Sequence, residues 1–319
     1  MPLIWQNRVI VSEWPTNKAP EFPPQYNPAS VPRYENPEGT VPIISLGRYG
    51  TLTMKNRPAD DAFIAMIDAS QKVIRMSLQD LGPVCIPKTK VALPGLKWPK
   101  TTLNAIARAI WKRGVDVEIV VSNPGSIPGG LGLTEACYGN GWSCVDVASE
   151  IIKRIKKQYP GANDEKLREK VENNLRVCFI RHAKQGTYKD GKTIGNHSKF
   201  FIVDDLAAYI GSQNLYMCDL AEWGVVVDDA KETKKMINDF WNPLWNASYT
   251  GEDCDVQKVM DGLDIERDGE DVNTFTLAGQ QQLDSIAKIN NTTGFNKSTA
   301  DLYSNEGPEE KLETSPLTK

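Results

Sequence analysis

The stretch NHSKFFIVDDLAAYIGSQN, residues 196–214, decides the fold class, because its pattern joins two buried strands through a tight turn. SKFFIVDD predicts the first strand, the turn lies near Asp205, and AAYIGS predicts a second strand running back along the first. Polar residues interrupt both strands, and one of them is His197, one of only two histidines in 319 residues. A plain buried hairpin with an isolated histidine is one interpretation, and a chemical site built on the hairpin is the other.

The polar residues of this hairpin suit a phosphate site. His197 and Lys199 point to the same face of a strand because side chains alternate, so both reach one ligand. Imidazole can act as a nucleophile or a proton carrier, and an ammonium group offers charge to an anion. On the returning strand, Gly211 lets backbone approach closely, while Ser212 and Asn214 share a face and supply neutral donors. The pattern therefore predicts a phosphate-binding site with a nucleophile inside it.

Predicted strands and helices alternate along the chain on both sides of the hairpin. The segment 100–113 has the clearest helical pattern, since Leu103, Ile106 and Ile110 share a face and Gly114 stands where a C-cap belongs. Such alternation indicates an α/β fold, and the hairpin makes part of the sheet antiparallel. We therefore predict a mixed β-sheet flanked by helices. The other predicted strands are centred on 42–47, 72–80, 115–123, 174–182 and 223–229, and the other helices on 58–70, 148–155 and 230–246.

Composition divides the chain into three parts. Residues 1–40 are rich in proline and predict an extended arm or linker. Residues 41–248 carry the alternating pattern and predict one domain. Residues 249–319 are poor in aromatic residues and rich in acids, Asn, Thr, Ser and Lys, which predicts a weakly ordered tail with a helix near 278–288.

Charge and hydrophobicity exclude some classes of protein. The chain is 40% hydrophobic and 24% charged, with a formal net charge of -4, which is ordinary for a globular protein. An acidic pI of about 5.5 gives no global attraction to nucleic acid or to anionic membranes. No apolar run reaches the length of a transmembrane helix, and the N-terminus lacks the pattern of a signal peptide.

The cysteines leave two interpretations open. Because none of them forms a CxxC pair, a zinc site is not indicated. Disulfides and buried free thiols remain equal alternatives, with Cys137 and Cys144 spaced to close a small loop. The six cysteines are Cys85, Cys137, Cys144, Cys178, Cys218 and Cys254.

The polar residues of the hairpin have the spacing of a known motif. The sequence H-x-K-x4-D-x6-G-S-x-N, from His197 through Asp204 to Asn214, resembles the HKD motif of the phospholipase D superfamily in every fixed position. Over about residues 40–248, segments such as VIRMSLQDLGPVC and GSQNLYMCDLAEWGVVVDD resemble the C-terminal half of secreted microbial phospholipases D of the Streptomyces type. The resemblance implies a phospholipase D-type HKD domain, and it implies secretion, although this chain shows no signal peptide.

This resemblance implies a role for each residue of the motif. His197 would form a covalent phosphohistidine, while Lys199, Ser212 and Asn214 would stabilise the phosphoryl oxygens. Glu222 takes the family position of the carboxylate that hydrogen-bonds the other ring nitrogen of the nucleophile. The motif requires no metal and no cofactor. Asp204 and Gly211 are predicted to be structural, Asp204 by fixing the hairpin rather than by touching substrate.

The chain departs from the family in one respect. Two HKD motifs build the family's active site, one histidine attacking phosphorus and the other protonating the leaving alcohol, whereas this chain has one motif. The other histidine, His182 in IRHAKQG, has Lys184 two residues on but no acid, glycine or asparagine at the later spacings, so we expect a surface histidine. The site is therefore expected to need a second half, from a homodimer or from a missing N-terminal half.

Three functions remain open on the sequence alone. The first is hydrolysis or transphosphatidylation of phosphatidylcholine-like phospholipids at a membrane or micelle surface. In this interpretation the glycine-rich loop, residues 124–142, contacts the lipid. That loop contributes Leu131, Leu133, Tyr138 and Trp142, and a plain surface loop is nearly as good an interpretation. The second function is a dimeric HKD nuclease, which the acidic pI disfavours, so no nucleic acid is expected as partner. The third is an incomplete half-domain that binds phosphate head groups.

Overall fold

The fold is a seven-stranded mixed β-sheet with helices on both faces. The structure is a computed structural model, which describes residues 41–49, 58–85, 90–128, 137–138, 142–216 and 221–267. The strands are β1 Ile43–Tyr49, β2 Val73–Leu78, β3 Asp116–Val121, β4 Ile127–Pro128, β5 Cys137–Tyr138, β6 Leu175–Phe179, β7 Lys199–Val203, β8 Ala207–Gly211 and β9 Ala221–Asp228. The helices are α1 Pro58–Ala69, α2 Lys100–Arg108, α3 Cys144–Gln158, α4 Asp164–Asn174, α5 Ala230–Met236, α6 Asn242–Ser248 and α7 Val256–Asp261.

One part of the sheet is parallel and the other part is antiparallel. The strand order is β1-β9-β8-β7-β2-β3-β6, and β4 pairs separately with β5. β2, β3 and β6 are parallel neighbours, and helices cross over between them, as parallel pairing requires. The chain then reverses through the β7–β8 turn, where Asp204 and Asp205 adopt φ of 54° and 61°, and β7, β8, β9 and β1 pair antiparallel. The predicted mixed α/β fold is thus confirmed.

The two faces of the sheet bury cores of unequal size. Helices α1 to α4 and α7 cover one face, where the larger core includes Leu103, Ile106 and Ile110 from α2. Segment 237–248 covers part of the other face, where Trp241 packs with Phe200 and Ile202. α2 continues beyond Arg108 as a π-helical turn over Ala109–Arg113, and Gly114 ends it at φ 64°. Gly114 therefore occupies the left-handed C-cap conformation that its position predicted.

Residues 249–267 pack on the domain. Val259, Met260 and Ile265 are buried in the larger core. Arg168 of α4 bonds Asp261 of α7 at 2.7 Å and so joins the two helices. Because these apolar residues stand among many acids, composition alone did not indicate their burial. The predicted arm, residues 1–40, and residues 268–319 with the helix near 278–288 lie outside the described residues.

Helix α4 was not predicted from the sequence. Its buried apolar residues are only Leu167 and Val171, so the helical period is barely visible among charged residues. Asn163 caps its N-terminus by accepting a hydrogen bond from the backbone N–H of Lys166 at 2.8 Å. A cap followed by an i, i+4 apolar pair was the available signal.

The described cysteine side chains are free thiols. Cys144 is one of them and lies fully buried in the larger core as the first residue of α3, so it forms no disulfide with Cys137. Burial raises the pKa of the Cys178 and Cys254 thiols to about 12, which keeps both protonated at neutral pH. Within the described ranges, no helix combines the length and the apolar character needed to cross a bilayer.

Candidate active site

His197, Lys199, Gly211 and Asn214 of the motif lie at one end of the sheet, where β7 begins and β8 ends. β1 ends there, with Arg48 as its last residue but one, and β2 ends there just before Gln79, while β7 begins there two residues after His197. β8 ends there at Gly211, and β9 begins there with Glu222 as its second residue. Antiparallel pairing brings these ends together from distant parts of the sequence.

His197 projects from a fixed backbone. The imidazole is exposed, whereas the preceding Asn196 is buried. The Asn196 side chain donates to Ser77 Oγ at 3.0 Å and accepts from Ser198 N at 3.0 Å. The backbone of Asn196 exchanges two bonds with the Ser122 hydroxyl, at 2.9 and 2.7 Å. His197 therefore combines solvent access with a backbone held on both sides.

Lys199 contacts the backbone of His197. Its side chain is buried, and its ammonium donates to the His197 carbonyl and to Gln79 Oε1, both at 2.8 Å. Gln79 is itself fixed, because its amide donates to the Tyr216 hydroxyl at 2.8 Å. The structure thus holds the positive charge of Lys199 against the backbone of His197, and the shared strand face of the two side chains stays a prediction because His197 precedes β7.

Asn214 and Glu222 lie on the other side of this strand end and are joined to each other. The Asn214 N–H donates to Glu222 Oε1 at 3.4 Å, and Arg48 Nη1 donates to both Glu222 Oε2 at 2.8 Å and the Asn214 carbonyl at 2.9 Å. Within the described residues, the side-chain oxygen of Asn214 is buried and has no hydrogen-bond partner. This oxygen can only accept a hydrogen bond, so a phosphoryl oxygen would have to bond the N–H of the same amide group.

Gly211 is required where the chain approaches Asn214. Gly211 and Gly224 face each other across β8 and β9, and a Cβ on Gly211 would come within 2.6 Å of the Gly224 Cα. The space is used by the Tyr209 hydroxyl, which bonds the Gln213 side chain. Gln213 in turn donates to the Leu46 carbonyl at 2.9 Å, so the segment before Asn214 is held against β1.

Ser212 does not join this group in the described contacts. β8 ends at Gly211, so the strand alternation that would have put Ser212 and Asn214 on one face stops before them. Ser212 is exposed, and its hydroxyl accepts from the Trp223 N–H at 2.9 Å and donates to the Trp223 carbonyl at 3.2 Å. The shared face predicted for Ser212 and Asn214 is therefore wrong, since one is exposed and the other buried.

Asp204 lies at the opposite end of β7 from His197. Its carboxylate accepts from the backbone N–H groups of Gln71, Lys72 and Val73 at 2.7, 2.7 and 3.0 Å. These bonds tie the β7–β8 turn to the start of β2. Asp204 thus acts on the alignment of the strands, at a distance from the group around His197.

His182 is remote from His197 in the sheet. It is exposed in a turn after β6, where its backbone N–H donates to the Gln185 carbonyl at 2.9 Å. β6 and β7 are three strand positions apart, which places their axes roughly 14 Å from each other. This location agrees with the surface histidine expected from the sequence.

Trp142 packs inward at the end of the glycine-rich loop. Its indole N–H donates to the Pro83 carbonyl at 2.7 Å, and its ring lies 4.9 Å from that of Trp98. Leu131, Leu133 and the side chain of Tyr138 lie outside the described residues. Among the residues that the structure describes, no His, Cys, Asp and Glu side chains group closely enough to hold a metal ion.

Burial and neighbouring charge tune the two titratable groups. Partial burial, reinforced by the Lys199 charge, lowers the pKa of His197 below its usual 6.5. Burial raises the pKa of Glu222, and the Arg48 charge opposes that rise. A lowered histidine pKa leaves the imidazole neutral at neutral pH, which is the form that attacks as a nucleophile.

An NMR titration tests this tuning. We expect a pKa below 6.5 for His197, and we expect Lys199→Met to raise it because one of the two depressing causes is gone. The variant His182→Gln removes the other imidazole, so the remaining histidine signal belongs to His197. A wild-type pKa above 6.5, or a pKa unmoved by Lys199→Met, would contradict the arrangement described here.

Three residues around the site were not predicted from the sequence, namely Arg48, Gln79 and Asn196. Each is polar and buried, at 6%, 1% and 3% exposure. Arg48 stands in a run that otherwise reads as an apolar strand, and Gln79 follows a buried strand directly. A polar residue within or just after a predicted buried strand was the signal that could have identified them.

Comparison with known proteins gives one family and several relatives. The family model described as "Cardiolipin synthase, PLD-like domain" matches residues 63–245, more than half of the chain. Phospholipase D from Streptomyces antibioticus is 28% identical over 193 residues, which are 60% of this chain and 32% of that protein. The chain thus spans about a third of the length of this relative.

Three solved structures align with lower similarity. The phospholipase D family member Nuc from Salmonella typhimurium is 16% identical, with a TM-score of 0.36 over 66% of this chain and 97% of Nuc. NucT from Helicobacter pylori is 15% identical, with a TM-score of 0.36 over 65% of this chain and 98% of NucT. Phosphatidylserine synthase from Haemophilus influenzae is 15% identical, with a TM-score of 0.40 over 78% of this chain and 46% of the synthase.

Proposed function

The chain belongs to the family of PLD-like domains described as cardiolipin synthase, and from that premise we propose that it hydrolyses phospholipid phosphodiesters through a covalent phosphohistidine. One observation carries the proposal. An exposed imidazole with a lowered pKa stands on a backbone held by hydrogen bonds, and a buried lysine donates to the carbonyl of the same histidine. This pairing supplies a neutral nucleophile and a fixed positive charge for a phosphate beside it.

The first chemical step forms the phosphoenzyme. A ring nitrogen of His197 attacks phosphorus, an N–P bond forms, and the bond from phosphorus to the head-group oxygen breaks. The departing alkoxide takes a proton from a general acid. Lys199 and the side-chain N–H of Asn214 donate to the phosphoryl oxygens and stabilise the charge that spreads over them.

The second step releases the product. Water attacks phosphorus and loses its proton to the group that served as acid in the first step. The N–P bond breaks and returns its electron pair to His197, so hydrolysis yields phosphatidic acid. An alcohol in place of water yields a new phospholipid by the same route, which is transphosphatidylation.

Glu222 has a positioning role in this proposal. A carboxylate that bonds the second ring nitrogen would fix the tautomer of His197 and favour the cation that forms on attack. Glu222 is buried near the start of β9, where its carboxylate accepts from Arg48 and from the Asn214 N–H. The proposal therefore gives His197 the chemical role and gives Glu222 the role of orienting it.

The proposed mechanism needs a second half. His182 is the only other histidine, and it lies beyond β6, three strand positions away. Assistance by a general acid is worth about 10²–10⁴-fold in rate, so one motif alone leaves the leaving group without its proton source. We propose that a second copy of this chain or a separate HKD half supplies it.

Phospholipid is the substrate class that we propose. The 28% identical relative from Streptomyces antibioticus bears the name phospholipase D, although this chain spans about a third of its length. The net charge of -4 disfavours a polyanion that would cover a large surface of the protein. These two observations favour a lipid diester over a nucleic acid.

A substrate panel tests the proposal. We expect concentrated protein, or protein supplied with a second HKD half, to release choline from phosphatidylcholine micelles and to form phosphatidylethanol when ethanol is present. Single-stranded DNA at equal phosphate concentration is expected to remain intact. Cleavage of DNA without release of choline would reject the lipid substrate, and head-group binding without turnover of either would support the non-catalytic half-domain.

A further inference from the structure

Arg48 is a buried cation that holds two carboxylates at once. Its guanidinium bonds Glu222 at 2.8 Å and Asp60 at 2.5 Å, and its side chain is 4% exposed. Asp60 comes from the first turn of α1, while Arg48 and Glu222 are register partners on β1 and β9. Arg48 and Asp60 both precede residue 63, where the family match begins.

The contacts of Arg48 close a ring around Asn214. Arg48 donates to the Asn214 carbonyl and to one oxygen of Glu222, while the other oxygen of Glu222 accepts the Asn214 N–H at 3.4 Å. Both backbone groups of Asn214 are therefore held by the same ion pair. Its side-chain oxygen is left without a partner among the described residues.

Stability alone does not explain an ion pair in this place. Removing two charges from water costs several kcal/mol for each ion, and apolar residues of similar size often stabilise a fold equally well. Arg48 Nε and Asp60 Oδ2 are also buried without partners among the described atoms, so the network is not optimised for stability. Its location between Glu222 and Asn214 points to a role in the site.

Several charged or titratable groups surround Glu222 and affect its pKa. Arg48 faces it from β1, Lys199 from β7 and Tyr209 from β8, with Asp60 behind Arg48 on α1. Burial raises the pKa of Glu222, and Arg48 lowers it more than Lys199 does. Loss of the guanidinium would therefore leave a buried carboxyl that takes up a proton at higher pH.

We propose that Arg48, oriented by Asp60, is a positioning residue that acts on the reaction through Glu222 and Asn214 without touching substrate. This inference rests on the proposed function, because it assigns Arg48 to the same site. Arg48 keeps Glu222 charged, and it sets the direction of the Asn214 amide. An arginine is suited to this role because one planar guanidinium group can donate hydrogen bonds to two carboxylates and a carbonyl.

Titration of the Glu222 carboxyl tests the electrostatic half of the inference without any turnover. The ¹³C carboxyl signal of Glu222, assigned by its loss in Glu222→Gln, is followed against pH in wild type, Arg48→Met and Arg48→Lys. We expect Arg48→Met to raise the Glu222 pKa and Arg48→Lys to restore most of the wild-type value. Because Arg48→Met also leaves the buried Asp60 without its ion-pair partner, the double variant Arg48→Met/Asp60→Asn serves as a second, folded variant. We expect the same rise of the Glu222 pKa in it.

A double-mutant cycle tests the catalytic half. We expect Arg48→Met to lower kcat roughly 10–100-fold, the usual effect of losing a partner behind a reacting group, and to move the acid limb of kcat to higher pH. In a Glu222→Gln background, the same substitution should cost clearly less than in wild type, because only the bond from Arg48 to the Asn214 carbonyl remains to be lost. Arg48→Lys should keep the position of the acid limb.

The outcomes separate this inference from the proposed function. A Glu222 pKa that does not rise in Arg48→Met, or an equal loss of kcat in both backgrounds, would overturn the role of Arg48. A wild-type protein that stays inactive when concentrated and when supplied with a second HKD half would reject the proposed function, and the carboxyl titration would still support or overturn the role of Arg48 by itself.

Discussion

Replacing His197 with alanine is expected to abolish phosphodiester turnover while the fold stays intact. The imidazole forms the bond to phosphorus in the proposed mechanism, and loss of a nucleophile typically costs about 10⁴-fold or more in kcat. The side chain is exposed, so its removal leaves no cavity in the core. Choline release from phosphatidylcholine and thermal unfolding, measured on the same samples, separate the two effects.

The matched control for this variant is His182→Ala. It removes the other histidine of the chain from an exposed turn, beyond strand β6. We expect the control to retain wild-type turnover. Full activity in His197→Ala would show that the nucleophile is misassigned, and a large loss in His182→Ala would make that residue the proton donor.

A monomer of this chain is expected to have turnover about 10²–10⁴-fold below that of a completed site. The reason is the missing general acid, since one HKD motif provides one histidine at the site. A second half would also contribute its own lysine and asparagine to the phosphoryl charge. Specific activity is measured against protein concentration, with the mass in solution determined by light scattering at each concentration.

Two results distinguish the source of the second half. Specific activity that rises with concentration indicates a homodimer, in which two copies of His197 share one site. Activity that appears only when a separate HKD half is added indicates a heterologous partner. A monomer with concentration-independent turnover at an ordinary enzymic rate would contradict the requirement for a second half.

Much of the fold could be predicted because hydrophobic patterns are local. The period of α2 and the Gly114 cap identified a helix, and the alternating strands of the hairpin identified the antiparallel part of the sheet. Helix α4 and the segment with Met260 could not be identified in this way. Their burial depends on partners such as Arg168, which lies almost a hundred residues from its bonds at Ile265.

Residue spacing predicted the candidate site only in the part that one hairpin contains, and Glu222 was added by the family resemblance. His197, Lys199 and Asn214 lie within eighteen residues, so their spacing was visible in the sequence. Arg48 and Gln79 reach the site through the pairing of β1 with β9 and of β2 with β7. Ser212 shows the opposite error, because alternation was extended past the last residue of β8.

Direct detection of the covalent intermediate tests the central claim most closely. Trypsin releases residues 193–199, TIGNHSK, a peptide whose single histidine is His197. The completed enzyme is mixed with short-chain phosphatidylcholine, quenched at alkaline pH, where phosphohistidine survives, and examined by mass spectrometry. We expect a phosphoryl-containing adduct on this peptide in wild type and none in His197→Ala. Turnover with an unmodified TIGNHSK peptide, or an adduct on any other residue, would contradict the assignment of His197 as the nucleophile.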